Sequence, residues 1–498
     1  MYSIQQLEEL TIADIHAAMQ AGKLTCEQLV RAYLARIAAY DKQGPSLNAI
    51  IMVNPKAVET AVSLDTHFAS SSFIGPLHGI PIIIKDNYDT HDMPTTAGSL
   101  SLKGSIPPDD AYQVRKLREA GAVIIAKANM AEFAWSPFQT VGSLLPGHTL
   151  NPYALNRTPA GSSGGTATAV SANFGAVGLG TDTGNSIRGP SAHTGLVGFR
   201  STMGLTSRDG IVPLFLNRDI GGPMARTVAD AVAVLDVIAG HDPADPVTST
   251  SQKHRAADYR QFLDKAGLVG ARIGVVRQLS DTETADSGVA TCFNQALDDM
   301  RQQGATIVDP LIIPNLDKLL TPTLFVNSFE RDFNDYLVSL GDKAPFASLA
   351  ELVEAGQFHP FINERMHYSV NKPATEEDYR QSKIATQQLR DATLAAMDAA
   401  QVDALVYPTW NNPPRLIGDM NRPDGNNSWQ LSPPTGFPAI TVPMGHVDNG
   451  LPCGLQFLGR AWSEPTLIKL VYAYEQATHH RRPPTTVPPL KGKNDSAT

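Results

Sequence analysis

From residue 80 onward, short apolar runs alternate with amphipathic helical segments, and that alternation constrains the fold more than any other feature of the chain. Residues 80–84, 123–126, 273–276, 306–308, 404–407, 440–442 and 455–458 read as short strands, the first of them fitting a buried one. Pro81 makes the early pairing of the first run irregular. Between them lie helical segments at 112–120, stopped by Gly121, at 227–239 with a Thr-x-x-Asp start, and at 288–303 and 465–477. Ahead of them, Thr11 is placed to cap a helix that ends at Gly22. Thr25 and Gln28 form a capping box for a second helix, in which Leu29, Val30, Tyr33, Leu34 and Ile37 recur at helical spacing. Such alternation implies an α/β layer architecture with a largely parallel or mixed sheet.

The 498 residues would fill about three average domains, a prior that large α/β enzymes often break. The expected organisation is one domain over 1–480, with an N-terminal helical part (about 1–65) and a mostly helical insertion (about 310–400). Residues 481–498, with four prolines and scattered lysines, are expected to form a flexible tail. A net charge of −9 without a basic stripe argues against nucleic acid as a partner. Cys26, Cys292 and Cys453 show neither metal-ligand spacing nor a disulfide framework, so a reducing compartment is the default. The N-terminus lacks a basic segment followed by an apolar one, and no apolar stretch is long enough to span a bilayer. The expectation is a cytoplasmic protein with no membrane partner, no metal and no cofactor.

The chemistry concentrates in residues 159–188, which contain Gly161-Ser162-Ser163-Gly164-Gly165 and, after a helix-compatible run to Phe174, Gly180-Thr-Asp-Thr-Gly-Asn-Ser-Ile-Arg188. Glycines beside serines let the backbone turn tightly and aim N–H groups at a bound oxygen. Read alone, such a tract is equally a loop. Upstream, Lys85 closes an apolar run within Gly75-Pro-Leu-His-Gly-Ile-Pro-Ile-Ile-Ile-Lys-Asp86. Most lysines are solvated surface charges, but burial lowers the pKa of an ammonium, and a neutral amine near pH 7 is a general base.

These segments resemble the amidase signature enzymes, and the resemblance covers almost the whole chain. Its strongest parts are the Lys85 strand, the Gly-Ser-Ser-Gly-Gly stretch and the segment from Gly180 to Arg188. Asn151-Pro152, Gly195-Leu-Val-Gly-Phe199, Gly222-Pro-Met224, Gly436-Phe-Pro-Ala-Ile-Thr-Val-Pro-Met444 and Gly450-Leu-Pro-Cys-Gly-Leu-Gln456 support it. The resemblance implies an α/β fold with a central mixed β-sheet surrounded by many α-helices, and an amidase that cleaves a small-molecule amide through an acyl-enzyme on Ser186. Ser162, whose preceding peptide is usually cis in the family, would bridge to Lys85 as terminal base. The backbone N–H groups of Thr183, Gly184, Asn185 and Ser186 would form the oxyanion hole. Ser163, Asp182 and Arg188 match supporting positions, and Ser136 lies where the family lines the acyl side. The family commonly has two glycines before its nucleophile; here the second is Asn185, whose side chain must find a place, the cleft included.

Two other activities fit parts of the pattern. Gly161-Ser-Ser-Gly-Gly165 matches the G-x-S-x-G elbow of ordinary serine hydrolases, with Ser163 as nucleophile, but leaves the segment from Gly180 to Arg188 without a role. The same fold also serves as the amidase subunit of a glutamine-dependent amidotransferase, which needs partner subunits. A catalytically dead binding protein is disfavoured because all three triad positions are present. No histidine sits convincingly in the tract; His193, the nearest, is expected to be structural. A monomer or homodimer is expected. Cleft walls are expected from residues 130–150, 205–220 and 310–430. Trp135, Phe138, Leu214, Phe215, Phe325, Phe329, Trp410 and Trp429 are candidates there, with core packing expected for most. Aliphatic, aryl and peptide amides, and carbamates or esters, all remain open.

Overall fold

The apolar runs of the sequence meet in one mixed sheet of eleven strands, seen in a computed structural model that describes residues 7–419, 425–447 and 450–490. The strands are β1 (Ile50–Val53), β2 (Pro81–Lys85), β3 (Val123–Ala128), β4 (Val177–Asp182), β5 (Val197–Arg200), β6 (Ile220–Ala225), β7 (Arg272–Val275), β8 (Thr306–Val308), β9 (Ala404–Pro408), β10 (Ala439–Val447) and β11 (Leu451–Leu458). Their order is β1-β3-β2-β4-β6-β5-β10-β11-β9-β7-β8. Parallel pairs β3–β2–β4 and β9–β7–β8 flank an antiparallel centre. Seventeen α-helices accompany the sheet among the described residues, so the expected α/β architecture is what the chain adopts.

The predicted caps form as the residues dictate. Thr11 and Thr25 each make a reciprocal capping box, with Asp14 and Gln28, and Thr227 caps Val228–Ile238 through the N–H of Asp230. Four strands escaped the sequence reading: β1, β4, β5 and β6. The last three carry Gly178, Gly180, Gly198, Gly221 and Gly222, a composition that reads as loop. Between β8 and β9 the described chain forms helices only, ending in the long helix Glu376–Ala400. Phe329, Phe333, Leu337, Leu349 and Leu352 of that segment share an apolar cluster with Met130, Phe133, Val212, Leu214 and Phe215. That cluster fixes the helical segment over the loops that leave β3 and enter β6.

The expected flexible tail needs correcting for residues 481–490. Arg481 pairs with Glu9 at 2.8 Å, Val487 is buried, and Arg36 donates to the Val487 carbonyl at 2.9 Å. Residues 491–498 of that tail lie outside the described residues.

Candidate active site

β2 carries three consecutive buried isoleucines, Ile82 to Ile84, and ends on Lys85, which is fully buried. Parallel pairing of Ile84 with Leu179 places the lysine beside the end of β4. Its Nζ lies 2.7 Å from Ser162 Oγ and 2.6 Å from Thr181 Oγ1. No carboxylate forms an ion pair with it among the described residues. Burial therefore dominates and lowers its pKa from 10.5 to about 7, against the more distant pull of Asp219 and Asp182. Lys127 on the neighbouring strand makes the contrast plain. It is equally buried, but Asp86 lies 3.4 Å from it and Tyr88 O and Thr95 Oγ1 accept from it at 2.8 and 2.9 Å. Burial pulls Lys127 down too, yet that carboxylate stabilises its proton, and its lone pair has no hydroxyl to deprotonate at a cleft. Lys85 is the buried lysine without an anion.

The Gly161–Ser162 peptide is cis, and Ser163 follows as the residue before the helix Gly164–Ser171. Ser163 Oγ donates to Thr181 O at 3.2 Å and accepts from Thr181 N–H at 3.3 Å, completely buried. It faces β4 and does not line the cleft. Asp182 ends β4 and closes the segment that follows: its carboxylate accepts from Ile187 N–H at 3.2 Å, from Arg188 Nε at 3.0 Å and from Arg200 Nη1 at 3.2 Å. Two buried guanidinium groups hold its pKa below the usual carboxylate range even though burial alone would raise it. Arg188 also donates to Gly184 O and to Gln456 Oε1, each at 2.8 Å. The loop from 183 to 187 is thus tied at both ends.

Within it, Thr183 Oγ1 donates to Asp219 Oδ1 at 2.5 Å, while Asp219 Oδ2 accepts from Leu214 and Phe215 N–H at 2.7 and 3.0 Å. Burial raises Asp219 to about 6. Asn185 Nδ2 donates to Gly161 O at 2.9 Å, so its amide is spent on the peptide that precedes Ser162 and clamps the two serine segments together. The N–H groups of Gly184, Asn185 and Ser186 form no backbone hydrogen bond among the described residues. No hydrogen bond engages Ser186 Oγ there either, and none spans Ser162 to Ser186.

Thr183, Gly184, Asn185 and Ser186 form one end of a cleft of about 380 Å³. Trp135, Pro137, Leu214, Phe215, Phe325 and Trp429 supply its apolar walls, and Arg365 its charged rim. A wider groove of about 580 Å³ continues past Phe325 and Arg365 to Glu364, Lys372 and Asp378. Five of the eight aromatic or apolar candidates thus face the cleft, more than core packing predicts. Phe329 instead packs edge-to-face on Trp135, and Phe138 on Trp410. Ser136 is buried, and its Oγ accepts from Phe138 and Gln139 N–H at 3.3 Å, while its neighbours Trp135 and Pro137 reach the cleft. His193 packs on Trp410 and is held neutral by burial, its pKa lowered to about 3. The sequence reading missed Thr181 and Asp219. Thr181 stands five residues before Ser186 and was within reach of it; nothing local marks Asp219.

Residues 28–468 match the family described as Amidase. The chain is 34% identical to a probable amidase of Arabidopsis thaliana, over 96% of this chain and 92% of that protein. It is 35% identical to a glutamyl-tRNA(Gln) amidotransferase subunit of Myxococcus xanthus, over 95% of this chain and 98% of that protein. Among solved structures, the peptide amidase of Stenotrophomonas maltophilia superposes with a TM-score of 0.88 at 40% identity, over 97% of this chain and 99% of that one.

Proposed function

Since the chain belongs to the amidase family and is a hydrolase of amide C–N bonds, we propose that it acts through an acyl-enzyme on Ser186, with Ser162 as bridge and Lys85 as base. The single observation that carries this reading is the buried Lys85 Nζ, 2.7 Å from Ser162 Oγ, on a segment that Asn185 Nδ2 holds to the cleft-lining loop of Ser186.

Neutral Lys85 accepts the proton of Ser162 as Ser162 accepts that of Ser186. Ser186 Oγ then attacks the amide carbonyl carbon. The developing oxyanion meets the N–H groups of residues 183–186, which the Asp182–Arg188 pair and the Thr183–Asp219 bond hold in place before the reaction begins. The proton returns by the same route to the departing nitrogen, and water resolves the acyl-enzyme. Thr181 is a positioning residue: with Asn87 donating to it at 3.2 Å, it keeps Nζ directed at Ser162. Ser163 ties the cis peptide to β4, and Ser136 shapes the turn that carries Trp135 and Pro137.

The apolar walls and the groove beyond them suit an extended acyl group, and the likeness to a peptide amidase points the same way. We therefore assign peptide amides as the substrate class. No helix among the described residues is long and apolar enough to cross a membrane. We place the enzyme in the cytoplasm as a monomer or homodimer without cofactor. The likeness to an amidotransferase component supports a second reading, in which activity requires partner chains. Assay of the purified chain alone on a peptide amide, an aliphatic amide and an aryl amide separates the two. Fastest turnover of the peptide amide is expected, and Ser186→Ala loses at least about 10³-fold with an unchanged circular dichroism spectrum. More than a tenth of the activity left in Ser186→Ala, with Ser163→Ala inactive, would move the nucleophile to the elbow serine.

A further inference from the structure

A second cavity, about 180 Å³, lies between the long helix Glu376–Ala400 and the segments around Arg218 and Gly436. Its composition is unusual for a chain of net charge −9. Three cations line it, Arg218, Lys383 and Arg390, and no carboxylate does. The long helix presents Tyr379, Ser382, Lys383, Thr386 and Arg390 to it, residues three or four apart that share one helix face. Ser382 Oγ is spent on Leu324 O at 3.3 Å, but no acid in the cavity lining answers the three cations.

Arg218 is the telling residue. It is 3% exposed, its Nη2 donates to Leu324 O, and its guanidinium carbon sits 3.9 Å over the Phe325 ring. Its Nη1 has no hydrogen-bond partner, and no acid pairs with it among the described residues. Burial and the nearby charge of Arg200 both push its pKa down, to about 9, with nothing opposing them. A buried guanidinium without an anion is costly to keep, and an anion nearby removes the cost. Arg390 donates from Nε to Thr435 O at 2.6 Å, which leaves its Nη groups over. Its Nη2 would stand only 3.1 Å from a Cβ on Gly436, so the glycine leaves the guanidinium its room. Lys383 is exposed and forms the entrance.

We propose that this cavity binds a small oxyanion of the phosphate or dicarboxylate class, with Arg218 beneath it, Arg390 at its side and Lys383 at its mouth. The site is separate from the amide cleft, since the two share no lining residue; Leu324 and Phe325 form the wall between them. The wall also connects them. Phe325, on which Arg218 stacks, lines the amide cleft, and Asp219, next in the chain, holds Thr183.

The test is isothermal titration calorimetry of the full chain with inorganic phosphate, malonate and O-phosphoserine, each at ionic strength matched with KCl. One saturable site per chain is expected for phosphate. Lys383→Met and Arg390→Gln should each weaken it about tenfold, the range of one lost charge-assisted contact. Lys383→Met should keep wild-type kcat and KM on a peptide amide without phosphate, showing that the fold is intact. Tighter binding of malonate would identify the occupant as a dicarboxylate, and tighter binding of O-phosphoserine as a phosphate monoester. Absence of saturable binding by all three anions, equal affinity in wild type and both variants, or displacement of phosphate by substrate in Ser186→Ala would overturn the proposal.

Discussion

Replacing Lys85 by Met should make the protein inactive and, at neutral pH, more stable. Wild type carries an amine whose pKa falls from 10.5 to about 7 on burial. At about 1.36 kcal/mol per pH unit, that gap costs the folded state about 5 kcal/mol. The sign follows from proton counts. Between pH 7 and 10.5 the unfolded lysine holds a proton that the folded one has lost, so wild-type stability rises with pH in that window. Below it the penalty is constant; above it the penalty is gone. The methionine fills a similar volume and carries no such term, but it leaves Ser162 and Thr181 short of a hydrogen-bond partner, about 1–2 kcal/mol each. The net expectation is a gain of about 1–3 kcal/mol at pH 7 that shrinks by about 2–3 kcal/mol by pH 9. Urea unfolding of both proteins at pH 7, 8 and 9, followed by circular dichroism, reads that difference directly. A stability difference that stays constant across the three pH values would show that Lys85 is charged in the folded state, and the reasoning would fail.

Three further outcomes follow from the same geometry. The kcat/KM profile should rise with pH and level off, its limb near pH 7, because only neutral Lys85 accepts a proton. Asp219→Asn should move that limb to lower pH, since Asp219 is the larger of the two charges that oppose the fall in Lys85; an unmoved limb would remove Asp219 from the electrostatics of the site. EDTA should leave turnover unchanged, and a loss restored by a divalent ion would introduce a metal that the serine–lysine chemistry does not require.

Much of this was visible in the chain before it folded. The helix caps at Thr11, Thr25 and Thr227 are local devices and could be read locally. The strand ending at Lys85 was visible because three isoleucines in a row leave little alternative. β4, β5 and β6 were not, because glycine has no pattern to show. At Gly180 an added Cβ would stand 2.7 Å from Met224 Sδ and 2.9 Å from Ser163 Oγ, so that strand needs glycine for close packing. The candidate site divides in the same way. Its serines and Lys85 stand in contiguous motifs, whereas Asp219 joins them only because β6 pairs with β4 in antiparallel register, Ile220 opposite Asp182. Lys127, a rival buried lysine, is told apart from Lys85 only by where Asp86 ends up. The destination of the Asn185 side chain, on Gly161 O, likewise depends on two segments meeting.

The central claim is that Ser186 carries the acyl group, and trapping that intermediate tests it most directly. The purified enzyme is mixed with an activated peptide ester, quenched in acid during turnover, and digested for mass spectrometry. The account predicts one acyl group per chain, on the peptide that contains Ser186, absent from Ser186→Ala and strongly reduced in rate of formation in Lys85→Met. An acyl group on Ser163, or full turnover with the label still absent from Ser186, would contradict it.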